Sequence, residues 1–240
     1  MKVRFLSAGD CGLVVEFGER VDRAVSEEVL NLQASLAAAA IAGVTETLPT
    51  FRSLFVEYDP LVTGRRELEP AIGALLGRRP KARRMATLWR IPICYDGAFA
   101  PDLEEVARRV GLSPEEVARR HRTLPYHVYM IGFLPGFPYL GDLPAELALP
   151  RRADPRQKVA AGSVAIATTL TAIYTFESPG GWHIIGRTPV TLFDPSRSPP
   201  ALLAPGDAVR FEAIDPALFA QIREKSEKGG YAIAGERVAL

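Results

Sequence analysis

SPGGWHII, residues 178–185, is the stretch on which the fold and site assignments of this 240-residue sequence depend. Two adjacent glycines precede a tryptophan, a histidine and a β-branched pair, so a strand-forming run begins where the backbone carries no side chains. Glycine weakens a strand, and it is favoured where the backbone turns with positive φ or approaches another group closely. A tight turn would account for Gly180 and Gly181 alone. A ligand lying against bare backbone would account for the glycines and the polar residues together.

The run that continues from these glycines, GGWHIIGRTP, has the composition of a β-strand. Alternation along a strand places His183, Ile185 and Arg187 on one face, and Trp182, Ile184 and Gly186 on the other. His183 and Arg187 would then lie roughly 13 Å apart along that face, so an arginine reaching back could share a small-molecule pocket with the histidine. The alternative is a structural strand whose histidine bonds a carbonyl group and whose arginine pairs with a carboxylate.

The chain around this strand divides into two parts of different pattern. The first 80 residues have the order strand-strand-helix-strand-strand-helix, with Asp22 as the cap of the first helix, and this order predicts a two-layer α/β sandwich. From Tyr126 onward, short apolar runs are broken by glycine and proline, which favours a β-barrel or sandwich. The basic segment RRPKARR at residues 78–84 predicts a solvated linker. We therefore expect an α+β protein with domains at residues 1–80 and 81–240.

Composition excludes several classes of function. The formal net charge of +1 provides no field for nucleic acid or an anionic membrane, and 48% hydrophobic residues are typical of a globular protein. The sequence has no apolar run long enough to span a membrane and no signal-peptide core. Cys11 and Cys94 are too few for a disulfide framework, so we expect reduced thiols and a cytoplasmic location.

Two further stretches suggest parts of a binding site. The irregular, apolar FLPGFPYLG, which contains Phe137, is typical of loops that wall a site. The basic PRRADPRQKVAAGS contains Arg156 and Lys158, whose side chains suit a carboxylate or a phosphate, although such a run is also typical of a solvated loop. The sequence contains no P-loop, no GxSxG motif and no zinc-ligand spacing, and no nucleophile is evident.

Three long stretches resemble one known family: GFLPGFPYLGDLP, PRQKVAAGSVAIA and SPGGWHIIGRTPVTLFDP. They are similar to the Kip-inhibitor family, whose members are also called 5-oxoprolinase B subunits and allophanate hydrolase subunit 1, and which is related to carboxyltransferase subdomains C and D. GDCGLVVEFG and FRSLFVEYDP resemble its N-terminal portion, so the similarity covers nearly the whole chain. The resemblance implies a small α/β domain followed by a cyclophilin-like β-barrel.

The resemblance also implies partners and a reaction. The partners are a C subunit of related, cyclophilin-like fold and an A subunit of TIM-barrel type, and the assembly opens 5-oxoproline to L-glutamate with ATP. On this basis we expect the single chain to be inactive, ATP to bind at a site shared with the partner, and no metal to be held by this chain. Relatives that inhibit a sensor histidine kinase, and the allophanate or urea type of amide hydrolysis, are alternatives.

The site hypothesis combines the resemblance with the residue patterns. Preorganised donors stabilise the negative charge that develops on a lactam oxygen, and the backbone amides of residues 161–163 and of the glycine pair are candidates. The expected catalytic residues are His183, Arg187 and Ser163. The expected substrate- or nucleotide-binding residues are Arg156, Lys158, Gly162, Ser178, Gly180, Gly181 and Phe137.

Overall fold

A computed structural model describes residues 3–78, 85–228 and 230–239 of the chain. The chain divides into two compact units, of which the second runs from Ala86 to Val238 and the first comprises the residues up to Met85 together with Ala239. The boundary predicted near Lys81 lies outside the described residues, as do residues 79–84 of the basic linker. The predicted domain limits of 1–80 and 81–240 therefore stay predictions.

The first unit contains the ββαββα order that the sequence predicts. Its elements are β1 (Arg4–Ser7), β2 (Gly12–Glu16), α1 (Arg23–Ala39), β3 (Val44–Pro49), β4 (Ser53–Tyr58) and α2 (Arg65–Gly73). The strands form one antiparallel sheet in the order β1-β2-β4-β3. Asp22 caps α1 as expected, because its carboxylate accepts a hydrogen bond of 2.9 Å from the Val25 N–H. The sheet and both helices bury their apolar side chains in one core.

The second unit is a mixed, strand-rich α/β structure. Its helices are α3 (Leu103–Val110), α4 (Pro114–His121) and α5 (Pro216–Glu227). Its strands are β5 (Met85–Ile93), β6 (Tyr126–Ile131), β7 (Pro138–Gly141), β8 (Arg156–Val159), β9 (Ser163–Ala167), β10 (Leu170–Ile173), β11 (Ser178–Gly180), β12 (His183–Arg187), β13 (Ala208–Ala213) and β14 (Gly235–Ala239). Short 3₁₀ turns lie at Gly97–Phe99 and Ala145–Leu147.

These strands form two sheets. The larger has the order β12-β9-β10-β7-β6-β13-β5-β14, and the smaller pairs β11 with β8. The β13–β5 pair is parallel, whereas β12–β9, β9–β10, β10–β7, β7–β6 and β6–β13 are antiparallel. Buried apolar side chains of the unit form two clusters, a large one that includes Ile93 and Ile185 and a smaller one that includes Trp182 and Ile184.

The expected cyclophilin-like barrel is not confirmed. Cys94, directly after β5, and Arg187, at the end of β12, exchange two backbone hydrogen bonds of 2.8 and 2.9 Å. Within the described residues this isolated bridge is the pairing between those two chain segments, so no continuous ladder closes the large sheet.

No helix in the described ranges combines the length and the apolar character needed to cross a membrane.

Candidate functional site

Of the two adjacent glycines, Gly180 has a packing role that neither of the two sequence alternatives anticipated. Gly180 ends β11 and neither it nor Gly181 adopts a positive φ. A Cβ at Gly180 would overlap the hydroxyl group of the buried Tyr174. A Cβ at Gly181 would come no closer than 3.5 Å, to Pro155, which is an ordinary contact. Gly180 therefore makes room for Tyr174, whereas Gly181 has no such steric requirement.

Alternation along β12 holds at its start. Trp182 and Ile184 lie together in the smaller core cluster, and Ile185 lies in the larger one. The predicted opposition of these side chains is thus confirmed.

A β-bulge then reverses the alternation before Arg187. The register of β12 against β9 shifts between Ile184 and Gly186. A Cβ at Gly186 would lie 2.6 Å from the side chain of Ile93, which belongs to the same cluster as Ile185. Two successive residues therefore face the same side, as a bulge requires. The prediction that His183 and Arg187 share a strand face is wrong for this reason.

His183 is fully buried at the start of β12. Its Nε2 lies 3.0 Å from the carbonyl oxygen of Pro150, and because a carbonyl can only accept, Nε2 carries the proton. The other ring nitrogen, Nδ1, is buried and has no hydrogen-bond partner among the described residues. This is the structural alternative that the sequence left open, a histidine bonded to a carbonyl group.

Arg156 is committed to a buried carboxylate that the sequence did not single out. Its guanidinium forms two hydrogen bonds, of 2.6 and 2.9 Å, with Asp102, which is 3% exposed. Arg152 reaches the same carboxylate at 3.1 Å. Asp102 also accepts the Ile184 N–H at 2.7 Å, and its own N–H donates to the Ile184 carbonyl oxygen at 3.0 Å. This network joins the start of α3 to β12. It already uses both terminal nitrogens of the Arg156 guanidinium, so Arg156 cannot offer this pair of nitrogens to a ligand.

Several other predicted residues lie apart from one another. Lys158 is exposed and pairs with Glu177 at 3.2 Å. Ser178 is buried, and its hydroxyl group has no partner within the described part of the chain. Phe137 is buried against Tyr174, with ring centroids 5.2 Å apart in an edge-to-face arrangement. Phe137 thus supports Tyr174.

The backbone amides expected to stabilise an oxyanion are largely occupied. The Gly162 N–H donates to the Tyr174 carbonyl oxygen at 2.7 Å, and the N–H of the buried Ser163 donates to Ala160 at 3.2 Å. Gly162 has φ +81°, and a Cβ there would overlap the carbonyl oxygen of Thr188. Gly162 therefore allows its loop to lie against the end of β12, but its amide and that of Ser163 are not available donors.

Arg187 and Gly162 meet at a small pocket of about 150 Å³. Arg187 comes from the end of β12 and Arg223 from α5, and Tyr174 and Thr175 also line the pocket. Thr175 Oγ1 is buried and has no hydrogen-bond partner among the described residues. The remaining lining residues are Ala161, Thr188, Pro189, Val190, Thr191, Leu192 and Phe219.

The pocket has a positive electrostatic character. Two guanidinium groups line it, and none of its described lining residues is acidic. The Nε of Arg187 donates to the Ala161 carbonyl oxygen at 2.9 Å, which fixes the orientation of the guanidinium. Burial and the nearby positive charge of Arg223 both lower the pKa of Arg187 from its ordinary value. An anion bound between the two arginines would relieve both effects, and guanidinium groups suit carboxylate and phosphate oxygens.

A larger pocket of about 750 Å³ lies elsewhere in the second unit and has the opposite character. Four carboxylates line it, and Arg122 is the cation among its described lining residues. The acidic residues are Asp96, Glu104, Glu115 and Asp215. Asp215 is occupied as the cap of α5, where it accepts the Leu218 N–H at 2.7 Å. Such a surface disfavours a polyanionic ligand.

Sequence reasoning missed Asp102, Arg223 and Thr175. Asp102 precedes a helical pattern and could have been identified as a helix-start residue, but its arginine partners are about 50 residues away in the chain. Arg223 was part of a helix interpreted only as a closing segment. No local signal indicates that its side chain lies beside Arg187.

Comparison with known proteins identifies the family. Residues 3–203 match the model of the carboxyltransferase domain, subdomain C and D. The B subunit of 5-oxoprolinase from Bacillus subtilis (strain 168) is 38% identical over 232 residues, which cover 91% of this chain and 95% of the relative.

Solved structures share the fold. The crystal structure of TTHA0988 superposes with a TM-score of 0.75 at 38% identity, covering 89% of this chain and 40% of that one. The K. lactis urea amidolyase superposes with a TM-score of 0.82 over 99% of this chain and 16% of its own, at 20% identity, which shows a common fold. This chain therefore spans less than half of each of these two solved chains. It belongs to the family of carboxyltransferase subdomain C and D proteins that includes the 5-oxoprolinase B subunits.

Proposed function

We propose that this chain is the B subunit of an ATP-dependent 5-oxoprolinase, a hydrolase that opens 5-oxoproline to L-glutamate. The observation that carries the proposal is the pocket between Arg187 and Arg223 in a chain whose relative is a 5-oxoprolinase B subunit. The substrate of that reaction carries a carboxylate beside a lactam ring, and guanidinium groups suit such a carboxylate.

The pocket binds and orients, and it does not complete a catalytic centre. Among its described lining residues there is no carboxylate, histidine or cysteine to activate water. The Thr175 hydroxyl can donate a hydrogen bond to a bound oxygen, and the Arg187 guanidinium is already oriented by Ala161. In the overall reaction the lactam C–N bond breaks, water supplies the new carboxylate oxygen, and ATP hydrolysis drives the step. Groups that activate water must then come from a partner protein.

The proposal includes two partners, a C subunit of related cyclophilin-like fold and an A subunit of TIM-barrel type. The length of the solved relatives supports an assembly, because this fold occupies 40% of the TTHA0988 chain. A cytoplasmic location is part of the proposal, since the reaction consumes ATP.

Reconstitution tests the function directly. The purified chain is mixed with the A and C subunits, and glutamate release from 5-oxoproline is measured with and without ATP. We expect ATP-dependent release from the complete set and negligible release from this chain alone. The contrary result is no lactam opening by the complete set, together with inhibition of a sensor histidine kinase's autophosphorylation by this chain, which would make it a regulator.

A further inference from the structure

The pocket between Arg187 and Arg223 is too small for a nucleotide. Its volume is about 150 Å³, whereas pockets for ligands of drug size enclose about 300–1,000 Å³. A nucleoside triphosphate belongs to that larger class. A five-membered lactam with one carboxylate is compact enough for the smaller volume.

The lining also distinguishes a carboxylate from a nucleotide phosphate. Phosphate sites in proteins use clustered backbone N–H groups, but the amides of Gly162 and Ser163 already donate to backbone carbonyl oxygens. The side of the pocket formed by Val190, Leu192 and Phe219 is apolar and suits the methylene groups of a saturated ring.

Of these two pockets in the second unit, one has the volume that a nucleotide needs and the other has the charge. The larger pocket, of about 750 Å³, could enclose a nucleotide, but its four carboxylates would repel a triphosphate. The smaller pocket has the suitable charge and lacks the volume. Neither pocket therefore fits a complete nucleotide.

We propose that the pocket between Arg187 and Arg223 binds the carboxylate of a small cyclic amide, and that the nucleotide of the reaction is bound by a partner protein of the assembly. This inference rests on the function proposed above for the identity of the amide, which is 5-oxoproline. Arg187 supplies the oriented guanidinium, Arg223 supplies the second positive charge, and the Thr175 hydroxyl is available for a substrate oxygen.

The test compares substrate and nucleotide dependence in the reconstituted assembly. Arg187→Gln removes the charge within the pocket, and Arg66→Gln makes the same change at an exposed position of α2. We expect Arg187→Gln to raise the KM for 5-oxoproline by on the order of 10- to 100-fold, as loss of a charge-assisted hydrogen bond does. The KM for ATP should change little, and Arg66→Gln should resemble the wild type in both constants.

Competition with 2-pyrrolidinone, the same lactam without its carboxylate, isolates the charge. The wild type should bind 5-oxoproline far more tightly than 2-pyrrolidinone, and Arg187→Gln should lose most of that preference. If Arg187→Gln does not fold, Arg223→Gln makes the same comparison from α5. An increased KM for ATP with an unchanged preference between the two lactams would overturn the inference and leave the proposed function standing.

An assembly that does not open 5-oxoproline would contradict the proposed function instead. Calorimetric titration of the intact chain with 5-oxoproline and with 2-pyrrolidinone then decides the inference by itself. Preference for the carboxylated lactam that is lost in Arg187→Gln supports it, and equal binding or no binding of the two overturns it.

Discussion

The buried ring of His121 takes part in a chain of hydrogen bonds that ends on a backbone carbonyl oxygen. Because that oxygen can only accept, it determines which atom donates in every bond of the chain. The Thr171 hydroxyl donates to the Ala165 carbonyl oxygen at 3.0 Å, so it accepts from His121 Nε2, also at 3.0 Å. His121 Nδ1 then accepts from the Tyr95 hydroxyl at 2.8 Å. Burial lowers the pKa of His121 to about 3. The sequence showed His121 only as part of a basic helix, because Tyr95 and Thr171 are distant in the chain.

This lowered pKa predicts a loss of stability in acid. Between the ordinary pKa of about 6.5 and the folded value, the unfolded state binds the extra proton, so the free energy of unfolding falls as the pH decreases. The loss attributable to His121 is about 2 kcal/mol between pH 6.5 and pH 5. Urea denaturation at both values checks this against His121→Gln, which cannot take up the proton and should lose correspondingly less. Equal losses in the two proteins would contradict the prediction.

Asp102 is the other single side chain on which the second unit depends. Asp102→Asn leaves Arg152 and Arg156 without their shared negative charge, and we expect a loss of about 2 kcal/mol in the free energy of unfolding, the scale of a hydrogen bond to a charged group. Asp154→Asn is the matched control, because Asp154 is exposed on the neighbouring loop. Urea denaturation of both variants measures the difference. If Asp102→Asn is as stable as Asp154→Asn, the network does not hold α3 to β12.

Among the elements, β12 shows what local pattern can and cannot predict. Apolar alternation correctly assigned the opposite faces of Trp182 and Ile185. It could not predict the bulge, because the shift follows from the close approach of Gly186 to Ile93, a residue of a distant strand. The helix starts were predictable for the opposite reason, since Ser113 caps α4 through the N–H of Glu116, three residues away. A helix cap can be predicted from residues close together in the sequence, whereas a bulge depends on contacts with residues that are distant in the sequence.

The glycine pair at the end of β11 provides a prediction with an internal control. Gly180→Ala forces a methyl group against the buried Tyr174, so we expect a loss of about 1–3 kcal/mol from overpacking. Gly181→Ala meets ordinary contacts at 3.5 Å and has no positive φ to strain, so its stability should stay within about 0.5 kcal/mol of the wild type. Thermal or urea denaturation distinguishes them. Similar losses in both variants would show that the backbone, and not Tyr174, requires the glycines.

For the chain as a whole, the family was predictable from long motifs, and the composition of the pocket was not. Gly162 and Arg187 were expected in one site and do line one pocket. Arg223 joins them only because α5 returns to the end of β12, which no spacing in the sequence reveals. Arg156 was expected to bind a ligand but is held by Asp102, since clustered arginines in a sequence do not disclose their structural partners.

The pocket leads to a prediction about assembly. Because its described lining residues include no group that activates water, omission of either the A or the C subunit should abolish glutamate release. Adding this chain back to an assembly that lacks it should restore release in proportion to the chain added, up to saturation. Turnover by this chain alone would show that a complete catalytic centre lies within it.

Two residues of β12, compared in the reconstituted enzyme, provide the most direct test of the proposed site. We assign Arg187 to binding and expect a structural role for the buried His183. Arg187→Gln should fold normally and raise the KM for 5-oxoproline by on the order of 10-fold or more. His183→Gln, whose amide can still donate to Pro150, should change stability more than turnover. Steady-state glutamate release by the two variants, with melting curves for each, gives the answer. A folded His183→Gln enzyme without turnover, beside an Arg187→Gln enzyme of normal KM, would contradict both assignments.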